Sequence, residues 1–229
     1  MSDPATPTPT RTRARRTTRS RGPKVDAATR DRVIDAAVAC ILERGFYRAS
    51  SNEITRRAGV SWGVIQYYFG SREALMLAVL RDGARRFSEL VATAHADGTT
   101  VGERLNSLLD TLTSHYGRPE YLAYVQIALN MDHDPQTSAE VRKTLHEVAE
   151  RSTKDVRRML REALGPATRV RDLADTVFLA FRGFGFSQQL LDTLAYDAVT
   201  PQTDRLARQR RLLVDALARF VEQEAAPAS

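Results

Sequence analysis

The sequence predicts an all-α protein with a small N-terminal domain and a larger C-terminal one. Apolar residues recur three and four positions apart along most of the 229 residues, which is the spacing of one face of an α-helix. No segment shows the alternation of apolar and polar residues that indicates a half-buried strand. A hydrophobic content of 42% is sufficient to fill a sizeable core, so we expect one or two helical domains.

Residues 1–24 carry all the excess charge of the chain. They contain seven Lys or Arg and one Asp, a net charge of +6, and the whole chain also has a net charge of +6. Like-charged segments with few apolar residues stay disordered and, when basic, favour nucleic acid. We therefore interpret residues 1–24 as a disordered basic arm that engages DNA, with a purely solubilising tail as the alternative.

The first predicted helix covers Thr29–Arg44 and ends at Gly45. Its apolar residues, which include Cys40, repeat at helical intervals on one face. Cys40 is the only cysteine, which excludes an internal disulfide and a cysteine-rich metal site, and its position predicts a buried packing residue. We expect Phe46 and Tyr47 to pack this helix against the second helix of the motif that follows.

Two short helices joined by a tight turn are predicted next. Ser50 and Glu53 have the spacing of a capping box, in which each side chain satisfies a backbone N–H of the other residue. The helix Ser51–Ala58 then ends at Gly59, which tolerates the left-handed conformation of a helix terminus. This first helix is therefore bounded by local signals at both ends.

Ser61 is the expected cap of the second helix, Trp62–Phe69, and Gly70 ends it. Two helices joined by a turn of three or four residues that contains glycine indicate a helix-turn-helix. The second helix of that motif enters the major groove of DNA. We expect Gly63 to permit close approach to the duplex, Val64 to suit a thymine methyl group and Gln66 to suit adenine N6 and N7. Phosphate contacts are expected from Ser50, Ser61, Tyr67, Tyr68 and Arg72.

The segment ASSNEITRRAGVSWGVIQYYFGSREAL, residues 49–75, resembles the DNA-binding domain of the TetR family of dimeric transcriptional repressors. The resemblance extends from Ala28 to about Phe87. It implies DNA contacts at positions 61–64, 66–68 and 72. Trp62 departs from the family, which commonly has Lys at that position. Because an indole cannot neutralise a phosphate, we expect stacking or packing from Trp62.

Six further helices are predicted after the motif. The first of them runs out of the DNA-binding unit into the rest of the chain, so we interpret it as the mechanical link between the two halves. A polar break at residues 92–100 follows it. The six helices are expected at Ser71–Leu90, Val101–Tyr116, Tyr121–Met131, Ser138–Leu164, Arg171–Leu194 and Thr203–Glu224.

The resemblance implies a homodimer in which the last two helices form a four-helix bundle with their twins. It also implies that the C-terminal domain holds an apolar cavity for a small hydrophobic effector, the usual form of a small-molecule site. The aromatic segment 178–186, FLAFRGFGF, is expected to line either this cavity or the dimer interface. The candidate lining residues, for which ordinary core packing is the alternative, are Leu105, Leu109, Leu112, Tyr116, Tyr124, Met131, Met159, Phe178 and Phe181.

Two patterns of enzymes are weaker interpretations. Residues 59–63 match G-x-S-x-G, but that motif requires a strand before the serine, and the preceding residues are predicted to be helical. Asp132, His133 and Asp134 are adjacent in a predicted loop, where three consecutive residues rarely converge on one ion. No metal-protease, phosphate-loop or dinucleotide motif occurs. We therefore expect no catalytic function, cofactor or metal.

The sequence thus predicts three parts: the arm at residues 1–24, a DNA-binding domain at 25–72, and a ligand-binding and dimerisation domain at 73–229. The expected function is a cytoplasmic, ligand-responsive regulator, with repression as the expected mode, that binds a palindromic operator as a homodimer. No apolar segment is long enough for a membrane span. The alternatives are a constitutive DNA-binding protein without effector and an all-α small-molecule-binding protein or enzyme.

Overall fold

The computed structural model describes residues 27–164, 170–194 and 202–225, and the regular structure in these ranges is entirely α-helical. The all-α prediction is confirmed, and the described helices agree with their predicted bounds within two residues. Residues 1–24, where the basic arm is predicted, lie outside the described ranges. The helices are α1 (Ala27–Arg44), α2 (Ser51–Ala58), α3 (Trp62–Tyr68), α4 (Arg72–Ala92), α5 (Val101–Tyr116), α6 (Pro119–His133), α7 (Ala139–Leu164), α8 (Val170–Leu194) and α9 (Gln202–Ala225).

The start of α2 is capped on one side only. The Ser50 hydroxyl accepts a hydrogen bond from the Glu53 N–H at 3.3 Å, as predicted. The return bond of a capping box is absent, because the Ser50 N–H donates to the Arg48 carbonyl. The Glu53 carboxylate instead forms ion pairs with Arg44 at 3.1 Å and with Arg56 at 2.5 Å. The prediction of a reciprocal capping box at this helix was therefore wrong, since two arginines compete for the carboxylate.

A complete capping box occurs at the start of α5, where none was predicted. The Thr100 hydroxyl accepts from the Glu103 N–H, and the Glu103 carboxylate accepts from the backbone N–H of Thr100 at 3.0 Å. The same carboxylate accepts from the Thr99 N–H at 2.8 Å. Hydrogen bonds from these two residues lower the pKa of Glu103 to about 2. The box fixes where the chain re-enters a helix after the polar break.

Glycine ends α2 and α3 as predicted. Gly59 has φ of +65° and Gly70 has φ of +79°, both in the left-handed region that side chains with a Cβ rarely adopt. The turn between α2 and α3 is short, so α3 is held at a fixed angle to α2. Ile54 and Ile65, one from each helix, are fully buried beneath the turn.

The buried apolar residues form two clusters. The first core joins α1, α2 and α3 to the first half of α4, to one face of α6 and, through Leu145, to α7. The second core joins the last turns of α4 to α5, α7, α8 and α9. Tyr124 on α6 packs against both. The first core thus extends past residue 73, where the sequence analysis placed a domain boundary.

No helix in the described ranges is both long and apolar enough to cross a membrane.

Candidate functional site

Helix α3 is anchored by one buried residue and presents its opposite side to solvent. Ile65 is fully buried in the first core. Trp62 is 44% exposed and Tyr67 is 56% exposed, which is unusual for rings of this size. Ser61, Gly63 and Gln66 are also exposed, whereas Val64 and Tyr68 are half-buried. The predicted DNA-contacting residues of α3 therefore share an accessible helix face.

The two capping serines differ in what their hydroxyls do. Ser50 accepts a hydrogen bond from the Glu53 N–H, and the proton of its own hydroxyl remains to be donated. Ser61 occupies the cap position of α3 in an extended conformation, but its side chain makes no capping hydrogen bond. Both side chains are exposed. The structure therefore leaves a donor available at the start of each helix.

Arg72 is occupied within the protein. Its Nη2 donates to the Phe46 carbonyl at 2.6 Å and its Nε donates to the Ala49 carbonyl at 3.3 Å. The guanidinium also lies 4.5 Å from the centre of the Phe46 ring. These contacts attach the first residue of α4 to the turn between α1 and α2. The predicted phosphate contact would have to use the remaining N–H groups of Arg72.

Tyr47 was expected to pack against α3, and that expectation is wrong. Phe46 is buried in the first core, but Tyr47 is 74% exposed. The two rings meet edge to face, with centroids 5.4 Å apart. Tyr47 therefore adds an exposed hydroxyl-bearing ring close to the residues that Arg72 contacts. Consecutive aromatic residues before a helix cap do not reveal which ring turns inward.

A cavity of about 190 Å³ lies between α4, α5, α6, α7 and α8. Its wall is mostly aromatic and aliphatic, with a few hydroxyls. Three predicted lining residues, Tyr116, Tyr124 and Phe178, do line it. The others are buried in the packed cores, Met131 in the first and the rest in the second. Those others are Leu105, Leu109, Leu112, Met131, Met159 and Phe181.

Most residues of the cavity wall were not predicted from the sequence, among them Phe87, His115, Tyr121 and Arg182. The His115 ring stacks on Phe87, with centroids 4.2 Å apart and planes 29° apart. Tyr121 meets Tyr116 edge to face at 5.0 Å. Two of them had a partial signal in the sequence. His115 directly precedes the predicted lining residue Tyr116, and Tyr121 is the first residue of a predicted helix.

Most titratable groups of the cavity wall are neutral. Burial, together with the charges of Arg118 and Arg182, lowers the pKa of His115 from 6.5 to about 4. Burial raises the pKa of Tyr116 and Tyr121 above the ordinary value of 10. Among the described wall residues, Arg182 is the one that carries a charge at neutral pH. Its Nε donates a hydrogen bond to the Tyr121 hydroxyl at 2.9 Å.

The side chains of the aromatic segment 178–186 lie in several different environments. Phe178 lines the cavity and Phe181 is fully buried in the second core. Leu179, between them in sequence, is 65% exposed. The segment was predicted to line either the cavity or the dimer interface. Phe178 lies on the face of α8 that lines the cavity, and Leu179 lies on an exposed face that an interface could use.

Large apolar side chains are exposed on α8 and α9. Leu179 and Leu190 are exposed on α8, and Leu212 and Phe220 are exposed on α9. Leu217 on α9 is instead part of the second core.

The sequence patterns of enzymes are not assembled into a site. Residues 59–63 lie in the turn between two helices and not after a strand. The His133 ring bonds to the Leu129 carbonyl, and the His146 ring lies 3.1 Å from Asp132. Within the described ranges, no group of three His, Cys, Asp or Glu residues is arranged to hold a metal ion.

Comparison with known proteins places these features in context. A family described as bacterial regulatory proteins, tetR family, matches residues 33–79. The HTH-type transcriptional regulator BetI of Rhizobium meliloti is 30% identical over 171 residues, which are 73% of this chain and 82% of that protein. The fold resembles that of FadR from Bacillus subtilis in complex with stearoyl-CoA (TM-score 0.58, 19% identity, 82% of this chain and 97% of that one). It also resembles a regulator from Streptomyces coelicolor (TM-score 0.62, 15% identity, 84% and 95%).

Proposed function

The chain belongs to the TetR family of bacterial regulatory proteins and is a ligand-responsive, DNA-binding transcriptional regulator; we propose that it is a repressor whose α3 reads the operator and whose cavity holds the effector. The observation that carries this proposal is the exposed face of α3 opposite the fully buried Ile65. We place this activity in the cytoplasm, and we propose no catalytic function.

The exposed face of α3 divides into base-reading and backbone-contacting residues. Gln66 offers a side-chain amide, which pairs with adenine N6 and N7 in the major groove. Gly63 permits the helix to approach the base edges, and half-buried Val64 offers a methyl surface to thymine. Ser50, Ser61, Tyr67 and Tyr68 supply hydroxyls for phosphates, which position a protein without reading sequence. Trp62 supplies a ring for stacking.

The arginines of α2 contribute little positive charge to this surface. Arg56 is paired with Glu53, and Arg57 donates two hydrogen bonds to the Glu43 carboxylate. Arg72 is engaged with backbone carbonyls. We therefore assign the long-range attraction to DNA to residues 1–24, whose net charge of +6 equals that of the chain.

Two copies of the chain would join through the exposed apolar side chains of α8 and α9. Two α3 helices in a two-fold dimer engage half-sites about 34–36 Å apart, one turn of DNA, and so require a palindromic operator. The apolar residues of α8 and α9 that are exposed in one chain support this assembly. Their burial removes apolar area from water.

Helix α4 connects the cavity to the DNA-binding surface. Leu80, Gly83, Ala84 and Phe87 of α4 line the cavity. At its other end, Arg72 attaches α4 to the turn that precedes α2. A ligand that binds one position of α4 better than another would change the spacing of the two α3 helices, whereas equal affinity for both would change nothing. The Bacillus subtilis protein of similar fold is in complex with stearoyl-CoA, which supports control by a small-molecule ligand in general.

The test uses duplexes selected from random sequence by the purified protein. We expect Gln66→Ala to lose about 1–3 kcal/mol of discrimination at one base pair of each half-site while non-specific binding persists. We expect Tyr67→Ala to weaken binding to all sequences about equally. Gln136→Ala, which removes an exposed amide from a loop far along the chain, is the control.

Affinities are measured by fluorescence anisotropy on a matrix of single-base operator variants. The assignment of Gln66 fails if its variant keeps every base preference of the wild type. The proposed function fails if the wild-type protein does not retain any selected duplex at low salt.

A further inference from the structure

The cavity, which lies where the two cores meet, has an asymmetric wall. Phe87, Tyr116, Tyr124 and Phe178 enclose most of it with rings. Arg182 contributes the one guanidinium among the described wall residues, and no wall residue in the described ranges is acidic. An apolar enclosure with a single charged group at one end is the form of a site that orients an amphipathic ligand.

The polar end offers two converging donors. The Arg182 guanidinium has five N–H groups, of which Nε is bonded to the Tyr121 hydroxyl at 2.9 Å. Because this hydroxyl accepts that bond, its own proton is left to donate to a ligand. No carboxylate in the described ranges lies within ion-pair distance of Arg182. Arg182 is an exposed residue, so its remaining N–H groups lie at the solvent-facing end of the cavity, where an anionic group of a ligand can accept from them.

The size of the cavity restricts the ligand. A volume of about 190 Å³ is roughly six times the 30 Å³ that one water occupies in the liquid. It is smaller than the roughly 300–1,000 Å³ of sites that hold drug-sized molecules. A long acyl chain would extend out of this volume through the open side of the cavity, whereas one aromatic ring or a short branched chain with a small polar group fits within it.

The charge of the wall restricts the ligand further. Aromatic rings attract cations, so rings alone would leave an amine as a candidate. Arg182 lies 6.0 Å from the ring centres of both Tyr116 and Tyr121 and repels a second cation placed among them. A carboxylate instead gains charge-assisted hydrogen bonds from a guanidinium, which are stronger than those between neutral groups.

We propose that this cavity binds small aromatic or branched aliphatic monocarboxylates, with the carboxylate held by Arg182 and Tyr121 and the apolar body enclosed by Phe87, Tyr116 and Phe178. The inference rests on the proposed function only in treating this cavity as the effector site, and it names the class of effector.

The test compares three probes of one shape: phenylacetate, phenylacetamide and phenethylamine. Binding to the full-length wild-type protein is measured by calorimetry, together with the shift in thermal unfolding that ligand binding produces. We expect phenylacetate to bind at least about tenfold more tightly than the neutral amide, and the amine to give no detectable heat. Equal or tighter binding of the amide or the amine overturns the proposal. So does the absence of phenylacetate and isovalerate binding at millimolar concentration.

Two variants assign the polar contacts. Arg182→Gln should weaken phenylacetate binding by about ten- to a hundredfold and leave phenylacetamide binding within a few-fold of the wild type. Tyr121→Phe keeps the ring and should weaken phenylacetate binding several-fold. Arg118→Gln is the matched control, because it removes a nearby positive charge from a residue that does not line this cavity. Equal losses in Arg182→Gln and Arg118→Gln would show general electrostatics and contradict the assignment.

Separate assays distinguish this inference from the proposed function. If the protein retains selected duplexes and phenylacetate does not bind, the ligand class is wrong and the DNA-binding role stands. If phenylacetate binds with the expected variant pattern and no duplex is retained, the proposed function fails and the ligand class stands.

Discussion

The two proposed sites of this protein are suited to opposite kinds of ligand. The proposed DNA site is the outer face of α3, whose rings stay exposed above Ile65, a fully buried residue of the first core. The proposed effector site is a cavity of about 190 Å³ where the two cores meet, lined by residues of both. A projecting surface suits a long polymer, and a cavity suits a small molecule. Tight packing positions the first site, whereas incomplete packing between helices creates the second.

The seam between the cores lies on α4 and α6. Asp82 of α4 is buried, and its carboxylate accepts hydrogen bonds from Arg85 at 2.8 Å and Arg86 at 2.7 Å. Arg86 also lies 3.4 Å from Asp35 on α1. Tyr124 of α6 packs against both cores. Changes on each side of this seam test whether the two cores behave as one unit.

The largest expected effect separates folding of the second core from dimerisation. Leu217 packs inside the second core, whereas Leu212 is 70% exposed. Leu217→Glu should cost about 4 kcal/mol or more, since it removes core packing and buries an unpaired carboxylate. Leu212→Glu should leave the chain folded and dissociate the dimer.

Urea unfolding and sedimentation measure these two outcomes. Trp62, the single tryptophan, reports from α3 beside the first core. If Trp62 emission and circular dichroism of Leu217→Glu change at one urea concentration, the cores unfold together. A dimer that persists in Leu212→Glu removes this residue from the interface.

His115, which stacks on Phe87 of the second core, should make stability depend on pH. Burial lowers the pKa of His115 to about 4, against 6.5 in the unfolded chain, so below pH 6.5 the unfolded state binds more protons. Stability is then present above pH 6.5 and is lost as the pH falls through 4, by up to about 3 kcal/mol. His115→Phe keeps an aromatic ring against Phe87 and should remove this loss. Urea titrations at several pH values compare it with the exposed-site control His95→Phe, which should behave as wild type.

A change at the seam should have a smaller cost. A Cβ on Gly83 would lie 2.7 Å from Cζ of Tyr124, so Gly83→Ala forces the ring of Tyr124 to move. We expect destabilisation of about 1–3 kcal/mol from overpacking. Gly102→Ala is the matched control, because its Cβ would meet Ala218 at 3.9 Å, an ordinary contact. That variant should gain about 0.5–1 kcal/mol from helix propensity. If thermal unfolding shows that both variants are stabilised equally, the ring of Tyr124 moves aside at little cost and the prediction fails.

The smallest expected signal is optical. Trp62 is 44% exposed on α3 and distant in sequence from every residue of the cavity wall. Its emission should shift when a selected duplex binds, since the indole leaves water. Phenylacetate alone should change it little. If Trp62 emission shifts more with phenylacetate than with DNA, ligand binding in the cavity changes the environment of α3. The two sites would then not be independent.

The sequence by itself determined the helices and the exposed face of α3 that we propose reads DNA. Gly59 and Gly70 end α2 and α3 because only glycine enters the left-handed region at low cost. Ile65 and its exposed neighbours on α3 follow from helical spacing. These signals act between residues a few positions apart, so they are legible without knowledge of the fold.

Tertiary structure alone decided the rest. Glu53 could pair with its own helix cap or with Arg44 and Arg56, and their placement settled the choice. Arg72 could contact phosphate or the Phe46 carbonyl, 26 residues earlier. The cavity was the hardest feature to predict from the sequence. It exists where five helices fail to fill space, so Arg182 and Tyr121, 61 residues apart, meet only after the helices pack. Periodicity reports which side of a helix is apolar, but not whether that side meets a neighbour or a gap.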